Sequence, residues 1–287
     1  MKWINRNDDE SNYEDRRGRS TGRRLAAGGG IGTIIILALY MFTGQDFSSV
    51  ADMFTGGEAQ TETVDPSRAK ENEDLKVFSL GVFNSANDVW TKIFNEQMQM
   101  EYRKPTFVTF TDQTMSECGG ASGATGPFYC PGDEKVYIDL SFFHELATRF
   151  KAPGDLAMAY VTAHEVGHHV QKLLGITDKM QQYRGRISEE EYNQLSVRLE
   201  LQADFYAGLW ARYAEAMNII KLEEGDIESA LGAANAVGDD TIQKQAQGYT
   251  VPDSFTHGTS AQRMRWFMKG YQTGDYRQGD TFNAETL

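Results

Sequence analysis

Residues 155–175 read DLAMAYVTAHEVGHHVQKLLG, and the fold turns on how this stretch is read. Pro153 and Gly154 lead in, Asp155 is a good N-cap, and Gly175 stands where a helix stops. Leu156, Tyr160, Ala163, Val166 or Gly167, Val170 and Leu174 recur at helical spacing, so one helix of about five turns is expected. Inside it stand His164, Glu165 and His168. Histidines at i and i+4 share a helix face and reach one metal ion, and a glutamate after the first reaches a water bound there as general base. His144-Glu145 is a useful contrast: its i+4 position is Thr148, so no second ligand stands above the histidine.

A catalytic zinc takes three protein ligands and keeps one position open. The third ligand is sought on the segment Ser188–Asn218, which opens with the capping box Ser188/Glu191. One face of that helix carries Ser196, Ala203, Ala207, Gly208 and Ala211, with Glu200 and Asp204 among them. Small residues let another helix come close. Two acids at i and i+4 on such a face read as a ligand, Glu200, and an acceptor, Asp204, for the free N–H of a ligand histidine.

HEVGHHVQ followed by LELQADFYAG resembles the gluzincin pattern. KW…EDRRG, GPFYCPGDEKVYIDLSFF and SFTHGTSAQRMRWFMKGY extend the likeness over nearly the whole chain. More closely, the chain resembles the bacterial putative neutral zinc metallopeptidase family. The resemblance implies an α+β fold: a mostly helical zincin-like domain with a small β-sheet, Zn2+ as cofactor, and a peptide or protein substrate. It also implies that Val136–Asp139 is the strand along which a peptide would pair.

Outward from the motif, composition bounds the rest. The chain has 287 residues, 40% hydrophobic, and a net charge of −13, which argues against a nucleic-acid partner. Residues 1–24 read as a polar tail. Residues 25–43, LAAGGGIGTIIILALYMFT, carry no charge and as a helix would span roughly 28 Å, about a bilayer's hydrocarbon core. Basic residues crowd before this stretch and none occurs from Gly44 to Ser67. A single-pass membrane protein is therefore expected, with a cytoplasmic N-terminus and an external or periplasmic catalytic domain. Residues 44–74 read as an acidic linker and 75–287 as the folded domain.

Within that domain Asn84 or Asn87 is expected to cap a helix, Thr106–Thr111 and Lys135–Leu140 to form strands, and Gly119–Pro127 to form a loop. Helices are expected at 226–237, 240–246 and 260–271, the last capped by Ser260. Cys118 and Cys130 bracket the loop and outside a membrane would form a disulfide. For the donor that shares charge on a reacting carbonyl, His257 in SFTHGTS is the leading candidate, with Tyr249 and Arg263 as alternatives. The expected function is zinc-dependent peptide hydrolysis with Glu165 as base. The rival reading is a catalytically silent binding module of the same fold.

Overall fold

The computed structural model describes residues 1–18 and 66–287. It is mixed α+β, mostly helical with small sheets. Helix α1 spans Pro66–Ile93 and runs on into one π-helical turn, Phe94–Met98. Its residues 66–74 were expected in the linker. Asn84 and Asn87 lie inside this helix rather than at its start, and they face inward because other segments need them. Asn84 donates to the carbonyls of Asn7 and Asp9, both at 2.9 Å, and Asn87 accepts from the Tyr102 hydroxyl at 2.8 Å.

The main sheet has the order β2–β3–β7–β6, from Tyr13–Asp15, Thr106–Phe110, Lys135–Asp139 and Phe128–Cys130. The first three strands are parallel, and β6 is the antiparallel edge. Of Val136–Asp139, Val136 and Tyr137 are paired on both sides, whereas Ile138 and Asp139 pair only with β3. Strand β7 is hydrogen-bonded to β3 along its length and to β6 over Lys135–Tyr137, and the outer strand on that side of the sheet is β6. Strands β4 (Gln113–Ser116) and β5 (Gly119–Ser122) form a hairpin over part of the expected loop. Cys118 and Cys130 are disulfide-bonded, joining that hairpin's turn to the end of β6.

The single-pass topology is corrected. Among the described residues no helix is long and apolar enough to cross a membrane, and the stretch 25–43 lies outside the described residues. The N-terminal residues give the physical reason. Strand β1 (Lys2–Trp3) pairs with β8 (Ile220–Lys221), and β2 pairs in register with β3. The Tyr13 hydroxyl bonds Thr109 at 2.6 Å, and Arg17 reaches Glu73 on α1 at 3.0 Å. One crossing between residues 18 and 66 would put these partners on opposite sides of a bilayer. Residues 1–18 are part of the domain, not a tail separated from it.

The helices that position the site are α2 (Ser141–Thr148), α3 (Asp155–Leu173), α4 (Ile176–Tyr183), α5 (Glu189–Ala216), α6 (Asp226–Ala236), α7 (Asp239–Gln247) and α8 (Ser260–Thr273). Helix α3 starts one residue earlier than read, with Gly154 as its N-cap and Asp155 in its first turn. Helix α8 is capped by Thr259, in a box with Gln262, rather than by Ser260. The Ser188/Glu191 box at the start of α5 is present. Helix α5 is the hub. A Cβ on Gly167 of α3 would meet the Ala203 carbonyl oxygen of α5 at 3.2 Å, so these two helices touch backbone to backbone. On its other side, a Cβ on Gly208 would lie 2.0 Å from the Phe267 carbonyl oxygen of α8. Around these crossings Phe205, Tyr206, Trp210, Tyr160, Trp266 and Phe267 are buried in one core.

Candidate metal centre

The close approach of α3 and α5 brings His164, His168 and Glu200 together. One donor atom from each lies within 4.8 Å of the others. His164 Nε2 is 3.2 Å from one Glu200 oxygen, and His168 Nε2 is 3.5 Å from the other. The two imidazoles stand one turn apart with centroids 4.8 Å from each other. Each Nδ1 is already engaged, with Asp204 at 2.8 Å for His164 and with Gln171 at 2.8 Å for His168. Both Nε2 atoms are thus turned toward the same carboxylate. Two imidazole nitrogens and a carboxylate oxygen, with the far ring nitrogens hydrogen-bonded, are a donor set that fits zinc.

Charge around the site is tightly balanced. Burial alone would raise the Asp204 carboxyl, but the Arg263 guanidinium and His164 outweigh it and hold the group at about 2. Arg263 is buried and donates through Nε to one Asp204 oxygen at 2.8 Å and through Nη2 to the other at 3.0 Å. The Tyr160 hydroxyl adds a third bond, at 2.5 Å. Burial disfavours charge on His168, yet the Glu200 charge and hydrogen bond outweigh it and raise the ring to about 9. Burial opposes ionisation of Glu200 too, but His168 and His257 hold it well below the ordinary range. Glu165, next to His164, is buried at 8% exposure, and its charge is among the causes that raise His168.

The His257 side chain is partly exposed, at 37%. Its Nδ1 faces Asp239 at 3.2 Å, and Asp239 also accepts the backbone N–H groups of Thr256, His257 and Gly258 at 2.6–2.9 Å. Burial of the ring opposes its charge, but Glu200 and Asp239 raise it, so His257 is within electrostatic reach of the ligand set. Of the alternatives, Arg263 is committed to Asp204 and the Val237 carbonyl, and Tyr249 is 60% exposed. His169 is turned away: one ring nitrogen faces the Tyr129 hydroxyl on β6 at 2.9 Å and the other the Arg103 carbonyl at 2.7 Å.

Four partners escaped the reading of the sequence: Tyr160, Gln171, Asp239 and the role of Arg263. Helical spacing carried a signal for two of them, since Tyr160 is four residues before His164 and Gln171 three after His168. Asp239 and Arg263 arrive from other helices, and no local pattern announces them.

A helix with two histidines at i and i+4, facing a carboxylate from a second helix, defines a candidate mononuclear metal centre of the hydrolase type. The model of the family described as putative neutral zinc metallopeptidase matches residues 1–282, and this chain belongs to that family. It is 41% identical to the uncharacterized protein YpfJ of Escherichia coli (strain K12) over 287 residues, covering 98% of this chain and 99% of that protein. It is 44% identical to the uncharacterized protein Rv2575 of Mycobacterium tuberculosis (strain ATCC 25618 / H37Rv) over 213 residues, 71% of this chain and 69% of the relative. No solved structure matches.

Proposed function

We propose that the chain is a zinc-dependent peptidase of zincin-like fold, with His164, His168 and Glu200 as the ligands. One observation carries the reading: both Nε2 atoms point at the Glu200 carboxylate while both Nδ1 atoms are hydrogen-bonded elsewhere. Zinc held there would bring the pKa of its water toward 7 and polarise a substrate carbonyl. Glu165, adjacent to the first ligand, takes the water's proton on a carboxylate oxygen and returns it to the leaving amine. His257, backed by Asp239, offers its Nε2 as the donor that shares charge on the reacting oxygen. The substrate is an extended peptide that adds to the outer edge of β6. That strand is tied to the metal-binding helix through Tyr129 and His169.

The test is cleavage of a broad peptide library by the zinc-loaded chain and by Glu165→Gln. Cleavage by the wild type, and retention of zinc without turnover by Glu165→Gln, supports the reading. A zinc-loaded wild type that cleaves nothing, or a Glu165→Gln variant that cleaves as well, overturns it.

A further inference from the structure

The two histidines are supported in different ways. His164 leans on a carboxylate, Asp204, whereas His168 leans on a neutral amide. Gln171 cannot present either end of that amide at will. Its nitrogen donates to the Leu199 carbonyl at 2.7 Å and to Gln202 Oε1 at 3.2 Å. Its oxygen is therefore the atom left facing His168 Nδ1, and a carbonyl oxygen only accepts. Gln202 is oriented in turn from its far side, where its nitrogen donates to the Gly279 carbonyl at 2.8 Å. Both glutamines are buried, at 0% and 4% exposure, so reversing either amide would set its oxygen against a main-chain carbonyl oxygen, acceptor facing acceptor. The polarity runs one way, from a main-chain carbonyl of the C-terminal segment through two amides to the ring.

We infer that Gln171 and Gln202 are positioning residues for the metal centre: they fix the proton of His168 on Nδ1, so that the Nε2 lone pair is the one aimed at the ion. The inference rests on the reading of His164, His168 and Glu200 as zinc ligands. It also makes the two histidines unequal. A carboxylate acceptor draws the N–H of a ligand ring more strongly than an amide does, so the two rings are held by acceptors of different strength. The rival role is purely structural, with the glutamines holding α3, α5 and the C-terminal segment together.

Zinc affinity by chelator competition, the unfolding temperature of the zinc-free chain, and the ring 15N signals of the zinc-loaded chain separate these roles. Gln171→Met keeps the volume and removes the bonds. It is expected to weaken zinc binding roughly 10–100-fold and to lose the protected Nδ1–H signal of His168 while that of His164 stays. Gln202→Met is expected to shift both readouts the same way by less, and it carries the test if Gln171→Met does not fold. Wild-type zinc affinity and an unchanged His168 signal in either folded variant, with only the unfolding temperature lowered, overturns the relay. His168→Ala is the control. If it binds zinc as tightly as wild type, the ligand assignment fails and the relay with it. If it loses zinc while Gln171→Met does not, the relay alone fails.

Discussion

Replacing Gly208 with alanine tests the packing that holds Glu200 and Asp204 in place. The new Cβ would sit 2.0 Å from the Phe267 carbonyl oxygen and 2.8 Å from the Tyr271 nitrogen, both backbone atoms of α8. No side-chain rotation relieves backbone, so α5 and α8 must part by about 1 Å before the Cβ fits. Phe205, Trp266 and Phe267 are buried beside the crossing and would lose contact as it opens. Alanine is favoured over glycine in a helix by about 1 kcal/mol, against overpacking that here costs about 3–5 kcal/mol, above the usual range because backbone must move. A net loss of about 2–4 kcal/mol follows, a fall in Tm of roughly 5–15 °C for a domain of this size. Unfolding is best followed with the metal removed, so that zinc linkage does not enter. Gly232 on α6 is the control, because a Cβ there meets nothing within 4 Å. Gly232→Ala should be neutral or stabilising by up to about 1 kcal/mol. A Gly208→Ala variant as stable as wild type would refute the crossing.

Asp204→Asn should weaken zinc binding about 10–100-fold, measured by chelator competition, and should also destabilise the chain by leaving Arg263 without its full counter-charge. Glu14 gives a pH signature of the docked N-terminal strand. Hydrogen bonds from Arg16, and then Lys135, hold its carboxyl at about 2, below the ordinary 4.5. A lowered folded-state pKa contributes stability above pH 4.5 that is lost as the pH falls toward 2. Denaturant midpoints across that window should therefore drop less steeply for Glu14→Gln than for wild type. Paired Cys118→Ser and Cys130→Ser should cost roughly 3 kcal/mol by loop entropy, and alkylation of the unreduced native chain should find no free thiol.

The residues that meet at the site were legible because each sits on a strongly patterned helix. The i, i+4 histidines, the Ser188/Glu191 box and the small-residue face of α5 all speak at short range. Strand pairing did not. Lys135–Asp139 reads as a strand, but whether it lies at the edge or the centre depends on β6 and β3, and nothing in its own residues reports them. Asn84 and Asn87 misled for a related reason: an asparagine reads as a cap by its chemistry, and only the distant partners Asn7, Asp9 and Tyr102 make it an interior residue. The N-terminal residues look like a charged tail because Glu14, Arg16 and Arg17 find their partners on Lys135, Thr114 and Glu73, far along the chain.

The central claim is that His164, His168 and Glu200 bind a zinc ion together. Anomalous diffraction at the zinc edge, from crystals of the zinc-loaded chain, tests it most directly. One peak within bonding distance of Nε2 of His164, Nε2 of His168 and a Glu200 carboxylate oxygen is the predicted result. A zinc peak on other residues, or none at these three donors, would contradict it.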